Sequence, residues 1–125
     1  MKFSIITVTL NSEKTIRDTL NSVCSQSYKD IEHVIIDGGS KDKTLSILKK
    51  YPHKQKKIFV KKDFGIYKSI NFGIQKSSGE FICILNSDDI FQSNKTIENF
   101  FKTKNKNKNK NSKIFLGNVA YFDNS

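Results

Sequence analysis

The sequence predicts an α/β domain, a three-layer and mostly parallel sheet flanked by helices. Short runs of β-branched and apolar residues alternate along the chain with amphipathic stretches of helical period, the order that builds parallel sheets through right-handed crossovers. One run, Phe81-Ile82-Cys83-Ile84-Leu85, is apolar without interruption, as suits a central parallel strand covered on both faces. Acidic residues also stand directly behind three of the predicted strands, and open α/β sheets collect their ligands at the carboxyl ends of strands.

The first strand is read from Phe3 to Leu10, rich in Ile, Val and Thr, and it stops at Asn11-Ser12, with Ser12 expected to cap the helix that follows. Ile16, Leu20, Val23 and Cys24 recur at helical spacing until Tyr28-Lys29-Asp30 ends the pattern. A second strand, Ile31 to Ile36, runs into Asp37-Gly38-Gly39-Ser40-Lys41-Asp42. Ser40 or Asp42 is expected to cap a helix carrying Leu45, Leu48 and Tyr51, which Pro52 closes. Lys57 to Val60 is a weaker third strand. Behind Asp63-Phe64-Gly65, a helix places Ile66, Ile70 and Ile74 four apart and ends at Ser77-Ser78-Gly79. The Phe81 strand follows, then a helix from about Ser93 with Ile97, Phe100 and Phe101 inward, and a last strand from Ile114 to Phe122.

At 125 residues the chain is one domain, 1–125, long enough for a real core. A net charge of +10 suggests a nucleic-acid or membrane footprint, but six of the basic residues lie between Lys102 and Lys113. Without them the excess is about +4, so no specific nucleic-acid partner is expected. The lysine–asparagine alternation inside residues 102–113 has nothing to bury and is expected to be a disordered loop, with peripheral contact to a membrane surface as its functional reading. Cys24 and Cys83 lack metal-ligand spacing and sit in apolar patterns, so buried reduced thiols in a cytoplasmic protein are expected. The first apolar run is too short to span a bilayer and lacks a cleavage signal.

The chemistry gathers at Asn86-Ser87-Asp88-Asp89. Two adjacent carboxylates with an amide and a hydroxyl form the hard-oxygen set that suits Mg2+ or Mn2+, although a solvated turn has the same composition. Asp37, Asp63 and Asp88-Asp89 each follow a strand and would converge on one edge of a parallel sheet. No glycine-rich phosphate loop of standard spacing is present, so a bound diphosphate needs a cation and basic side chains such as Lys61 or Lys62. Asp63-Phe64-Gly65 matches a kinase metal triplet in letters alone, since the accompanying kinase elements are missing. His33 inside a strand and His53 in a lysine-rich turn are read as structural.

Taken together, these stretches resemble the inverting glycosyltransferases of family 2, with the GT-A nucleotide-diphospho-sugar fold. Ser4-Ile5-Ile6-Thr7-Val8-Thr9-Leu10-Asn11 with Glu13 is similar to the family's first strand and uridine-facing loop. Ser22-Val23 with Gln26-Ser27-Tyr28 is similar to its first helix and exit. Ile35-Ile36-Asp37-Gly38-Gly39-Ser40-Lys41-Asp42-Lys43-Thr44 resembles its acidic turn. Lys62 to Tyr67, Asn71-Phe72-Gly73-Ile74 and Ser78-Gly79-Glu80 resemble the next stretch, Leu85 to Asp89 the metal motif, and Gly117-Asn118-Val119 the strand after it.

The resemblance implies a transferase that moves a sugar from a nucleoside-diphosphate donor, UDP-linked, to the hydroxyl of a glycan or lipid-linked acceptor in cell-surface polysaccharide synthesis. It implies Thr9, Asn11, Glu13, Asp37, Asp63 and Asp88 as nucleotide-sugar contacts, Asp37 at the uracil, and Asp88 and Asp89 as ligands of Mn2+ or Mg2+. The location implied is the cytoplasm, peripheral at the inner membrane face. Asn86 departs from the pattern, standing where many members carry the motif's first acid. The family's catalytic base and acceptor residues fall beyond Ser125, so the chain is expected to be a C-terminally truncated donor half that does not transfer sugar alone. The competing readings are a non-catalytic nucleotide-sugar and metal binder, and a basic adaptor acting through its lysine loop.

Overall fold

The computed structural model describes residues 1–106. Four strands, β1 (Phe3–Thr9), β2 (Ile31–Asp37), β3 (Lys56–Val60) and β4 (Phe81–Ile84), alternate with four helices, α1 (Ile16–Cys24), α2 (Thr44–Lys50), α3 (Gly65–Lys76) and α4 (Thr96–Lys106). All strand pairs are parallel, in the order β3-β2-β1-β4. The expected α/β architecture and its mostly parallel sheet are therefore present.

Side-chain alternation along each strand sorts the core onto two faces. On one face, Phe3, Ile5, Ile31, Ile35 and Leu85 pack with Ile16, Leu20 and Val23 of α1, Leu48 of α2 and Ile97 of α4. On the other, Ile6, Val34 and Ile36 pack beneath α3, flanked by Phe59 and Phe72. A Cβ at Gly73 would lie 2.7 Å from Ile6 Cγ2 and 2.8 Å from Ile36 Cδ1, so glycine there lets α3 settle onto the sheet. Fully buried aliphatic side chains contribute about 1.5–3 kcal/mol each, and they fix the strands whose ends carry the polar loops.

β4 is not covered on both faces as expected. Among the described residues it forms the sheet edge, and Ile82 and Ile84 are 44% and 48% exposed on the face that α3 leaves open. An unbroken apolar run reports the composition of a strand, not its position in the sheet. Phe81 and Cys83, on the opposite face, pack against the cluster of Phe3, Ile5 and Ile97, and Phe81 meets Phe100 and Phe101 edge-on at 5.5 and 5.4 Å. The expected strand at Ile114–Phe122, including Gly117–Val119, lies outside the described residues.

Other expectations also need correction. Ser12 is not a side-chain cap. Its carbonyl accepts the amides of Thr15 and Ile16 at 3.1 and 2.9 Å, and α1 begins at Ile16. The expected cap of α2 by Asp42 is present, its Oδ1 accepting the N–H of Thr44, the first helical residue, at 2.9 Å. Residues 102–106, expected to be disordered, continue α4, with Lys104 Nζ 5.2 Å from the Phe81 ring centroid. Apolar anchorage by Phe100 and Phe101 carries the helix into the polar repeat, and lysine is a good helix former; residues 107–113 lie outside the described set. Cys24 is exposed, whereas Cys83 is half-buried and its thiol is pushed up by burial.

At the amino ends of the strands, buried Glu32 ties three elements together. Its carboxylate accepts Ser4 Oγ at 2.6 Å, Ser78 Oγ at 3.0 Å, Gly79 N at 3.2 Å and the Lys57 ammonium at 3.1 Å, and Ser78 N–H also donates to it. Burial alone would raise Glu32, but the donors from Ser4, Ser78 and Lys57 pull it down to about 2. His33, fully buried on β2, meets Thr7 Oγ1 at 2.7 Å. Burial, with His53 nearby, drops its pKa to about 3.

Candidate functional site

The register brings three strand ends level. Thr9 lies beside Asp37, and Asp37 beside Val60, while β4 stops opposite Ile6. Behind these ends, the loops after β1, β2 and β4 are joined in one hydrogen-bonded rim. Asp37 is fully buried, and its carboxylate holds the next turn by accepting Gly39 N at 2.9 Å, Ser40 N at 2.7 Å and Ser40 Oγ at 2.5 Å. Ser40 Oγ in turn accepts Asn11 N–H at 2.9 Å, and Asn11 Oδ1 accepts Lys41 N–H at 2.8 Å. Glu13 Oε2 accepts Lys43 N–H at 3.2 Å, and Asp42 Oδ2 accepts Glu13 N–H at 3.2 Å. Burial works against Asp42, yet donors from Thr44 and the Glu13 amide hold its carboxyl below the ordinary range. Asn11 and Glu13, expected to face the donor, thus use these atoms to fasten one loop to the next.

The metal-type turn is fastened from α1. Ser12 and Ser87 hydroxyls meet at 2.8 Å, and Thr15 Oγ1 donates to Ser87 O at 2.9 Å. Thr19 Oγ1 lies 3.0 Å from Ser87 O and 2.7 Å from Asp89 O. The turn closes on itself through Asp89 N–H to Asn86 O at 3.0 Å. Sequence reading missed Thr15 and Thr19 as anchors; their four-residue spacing on one helix face was the available signal. The result is a backbone held rigidly from below, with the Asp88 and Asp89 carboxylates left exposed above it.

Next to this rim, between the end of β1 and the start of α3, is a cavity of about 330 Å³. Val8, Leu10, Phe64 and Ile66 give it apolar walls, and Thr9, Gly38, Asp63 and Ser69 contribute to its lining. That volume lies at the small end of the range for small-molecule sites. Buried Thr9 Oγ1 has no protein hydrogen-bond partner. Such an orphan hydroxyl costs free energy unless a ligand or water meets it. Asp63 and Asn11 both adopt left-handed backbone, with φ of 61° and 50°, and strained residues of this kind concentrate at binding sites.

Asp88 and Asp89 suit a divalent cation by their donor chemistry. Both are exposed hard-oxygen carboxylates, and no ion pair engages either among the described residues. No third His, Cys, Asp or Glu joins them there, so a cation held by this pair would draw its remaining ligands from a diphosphate and water. Of the two lysines considered for phosphate, Lys61 is directed at the Phe72 ring, 4.8 Å from its centroid. Lys62 runs beside Gly39, where an added Cβ would lie 2.8 Å from Lys62 Cγ, and Gly39 itself has a φ of 94°.

Similarity to known proteins follows the same outline. An uncharacterized glycosyltransferase of Rickettsia typhi is 36% identical over 92 residues, 74% of this chain and 29% of the relative. The Staphylococcus aureus poly(ribitol-phosphate) beta-N-acetylglucosaminyltransferase TarS is 37% identical over 94 residues, 71% of this chain and 16% of TarS. Its structure spanning residues 1–349, in complex with UDP-GlcNAc, superposes with a TM-score of 0.78 at 33% identity, covering 85% of this chain and 32% of that one. A Pyrobaculum calidifontis mannosyltransferase solved with GDP-Man and Mn2+ shares the fold, with a TM-score of 0.76 at 22% identity, over 82% of this chain and 32% of that one. The chain thus spans less than a third of the length of these relatives. Residues 4–119 match the family model for glycosyl transferase family 2, and the chain belongs to that family.

Proposed function

We propose that the carboxyl edge of the sheet binds a UDP-linked sugar for transfer to an acceptor hydroxyl with inversion at the anomeric carbon. The observation that carries this reading is the apolar cavity, built against the same rim that holds Asp37 and the Asp88-Asp89 turn. Likeness to TarS, solved with UDP-GlcNAc, supports the choice of donor.

In this reading the apolar walls at Val8, Leu10 and Phe64 shield the nucleoside from water, and Thr9 lines the same cavity. Asp37, buried behind the cavity, holds the turn that begins at Gly38 of the cavity lining, against which the base would lie. Asp63, on its strained loop, faces the ribose, and Asn11 and Glu13 hold the loop that covers the base. Asp88 and Asp89 hold Mn2+ or Mg2+, which supplies neutralising charge for the leaving diphosphate. The acceptor is a hydroxyl on a glycan or lipid-linked molecule, and proton removal from it requires a general base. We place the reaction at the cytoplasmic membrane face, in cell-surface polysaccharide synthesis; TarS, named for poly(ribitol-phosphate), supports that class of acceptor.

Calorimetric titration of UDP tests the reading. Binding is expected with Mn2+ present, and Asp89→Ala or excess chelator should weaken it more than about tenfold, the scale of one lost charged contact. Equal affinity in chelator would remove the cation from Asp88 and Asp89. Asp37→Ala should weaken binding while leaving the metal preference unchanged.

A further inference from the structure

On the α3 face of the sheet, lysine and phenylalanine alternate along two adjacent elements. The β3 edge and the residue behind it present Lys57, Phe59 and Lys61 at strand period, and the start and length of α3 present Phe64, Lys68, Phe72 and Lys76 at helical period. Neither stripe contains an acidic residue. The stripes interlock. Lys61 Nζ lies 4.8 Å from the Phe72 centroid and 5.7 Å from that of Phe64, Lys68 Nζ lies 4.5 Å from Phe64, and Lys76 Nζ lies 5.4 Å from Phe72 and 5.9 Å from Phe59. Lys57 has Glu32 as its partner, but among the described residues Lys61, Lys68 and Lys76 have no carboxylate partner.

Lysines on an edge strand discourage sheet-to-sheet pairing, which accounts for charge on β3. It does not account for the helical stripe, which lies on no edge. We propose that this surface docks the protein on an anionic lipid bilayer. Lysine ammonium groups seated over phenylalanine rings make one basic and aromatic surface, the side-chain types of a membrane interface. Ile66 and Tyr67, 52% and 81% exposed on the first turn of α3, provide apolar and aromatic groups beside the lysines. Single-stranded nucleic acid fits less well, because it binds by stacking bases on open ring faces. Here the rings carry ammonium groups and pack edge-on, Phe59 on Phe72 at 5.2 Å and Phe64 on Phe72 at 5.9 Å. The surface adjoins the cavity through Phe64 and Ile66, so docking would set the cavity beside the bilayer.

Co-sedimentation of the full chain with vesicles of equimolar phosphatidylglycerol and phosphatidylcholine, against phosphatidylcholine alone, tests this. Binding should require the anionic lipid. The triple variant Lys61→Gln, Lys68→Gln, Lys76→Gln should lose about a hundredfold in affinity, about fivefold per lysine. The control Lys49→Gln, Lys50→Gln, Lys54→Gln removes the same charge elsewhere and should lose much less. Circular dichroism of both variants establishes that they are folded. Equal losses in the two variants would assign binding to net charge, and unchanged binding in the first, with loss on replacing the lysines at 102–113, would assign it to that run. Either result, or a preference for single-stranded RNA that vesicles do not compete away, would overturn the proposal.

Discussion

Glu32→Ala is expected to destabilise the domain by about 3–5 kcal/mol, because three donors lose their acceptor at about 1–3 kcal/mol each while half-exposed Lys57 turns to water. The change removes one carboxylate and leaves Ser4 Oγ, Ser78 N and Gly79 N facing a void at the junction of β1, β2 and the turn before β4. No alternative geometry is open to that turn. A Cβ at Gly79 would lie 2.3 Å from Ser4 Oγ and 2.9 Å from Lys2 O, so the backbone already lies against β1. At about 4 °C per kcal/mol for a domain of this size, the melting temperature should fall by at least about 12 °C. Glu32→Gln keeps the shape and loses the charge, and it should fall in between. Thermal unfolding by circular dichroism gives the answer; a shift for Glu32→Ala within a couple of degrees would mean that the network contributes little.

Stability should also decline as pH falls below neutrality, beginning with His33. Its folded pKa of about 3 lies below the ordinary 6.5 because burial, with His53 nearby, disfavours the cation. The unfolded chain therefore takes up this proton first, and stability is lost as pH drops from about 6.5 towards about 3. His53 is lowered too, by burial and by Lys56 and Lys29, and acts in the same direction. Glu32, depressed from 4.5 to about 2, stabilises the fold above about 4.5, and that contribution fades as pH falls towards 2. Between pH 6 and 5 the slope should approach about 1.4 kcal/mol per pH unit from His33. Urea denaturation at pH 7, 6 and 5 measures it, and His33→Gln should flatten it. Stability that stays level from pH 7 to 5 in the unmodified chain would contradict this account.

Most of the fold was legible because its signals are local. Ile5, Ile35 and Leu48 recur at the strand and helix periods that bury them, and each acid at a strand end falls where a parallel sheet must place it. The errors arose where partners are distant in sequence. Asn11 and Glu13 have the composition of caps and turns, but their partners Ser40, Lys41, Asp42 and Lys43 lie about 30 residues away on the neighbouring loop, and no local pattern names such a partner. Ser12 was read as a cap because Ser precedes a helical pattern, yet Ser12 N–H donates to Thr44 Oγ1 at 2.8 Å and its hydroxyl reaches Ser87. Composition suggests cover on both faces of β4, but among the described residues Ile82 and Ile84 stay exposed on the α3 face. The role of Glu32 was invisible for the same reason, since Ser78 and Gly79 lie 46 and 47 residues further along the chain.

On the proposed function, these distant loops form one donor-binding edge. Amide chemical-shift mapping tests it most directly, with UDP and Mg2+ added to the isotopically labelled chain. The account predicts shifts confined to residues 8–13, 37–41, 62–66 and 86–89, saturating together with a single affinity. Shifts centred instead on Glu32, Lys57 and the opposite end of the strands, or no saturable shifts at all, would contradict it.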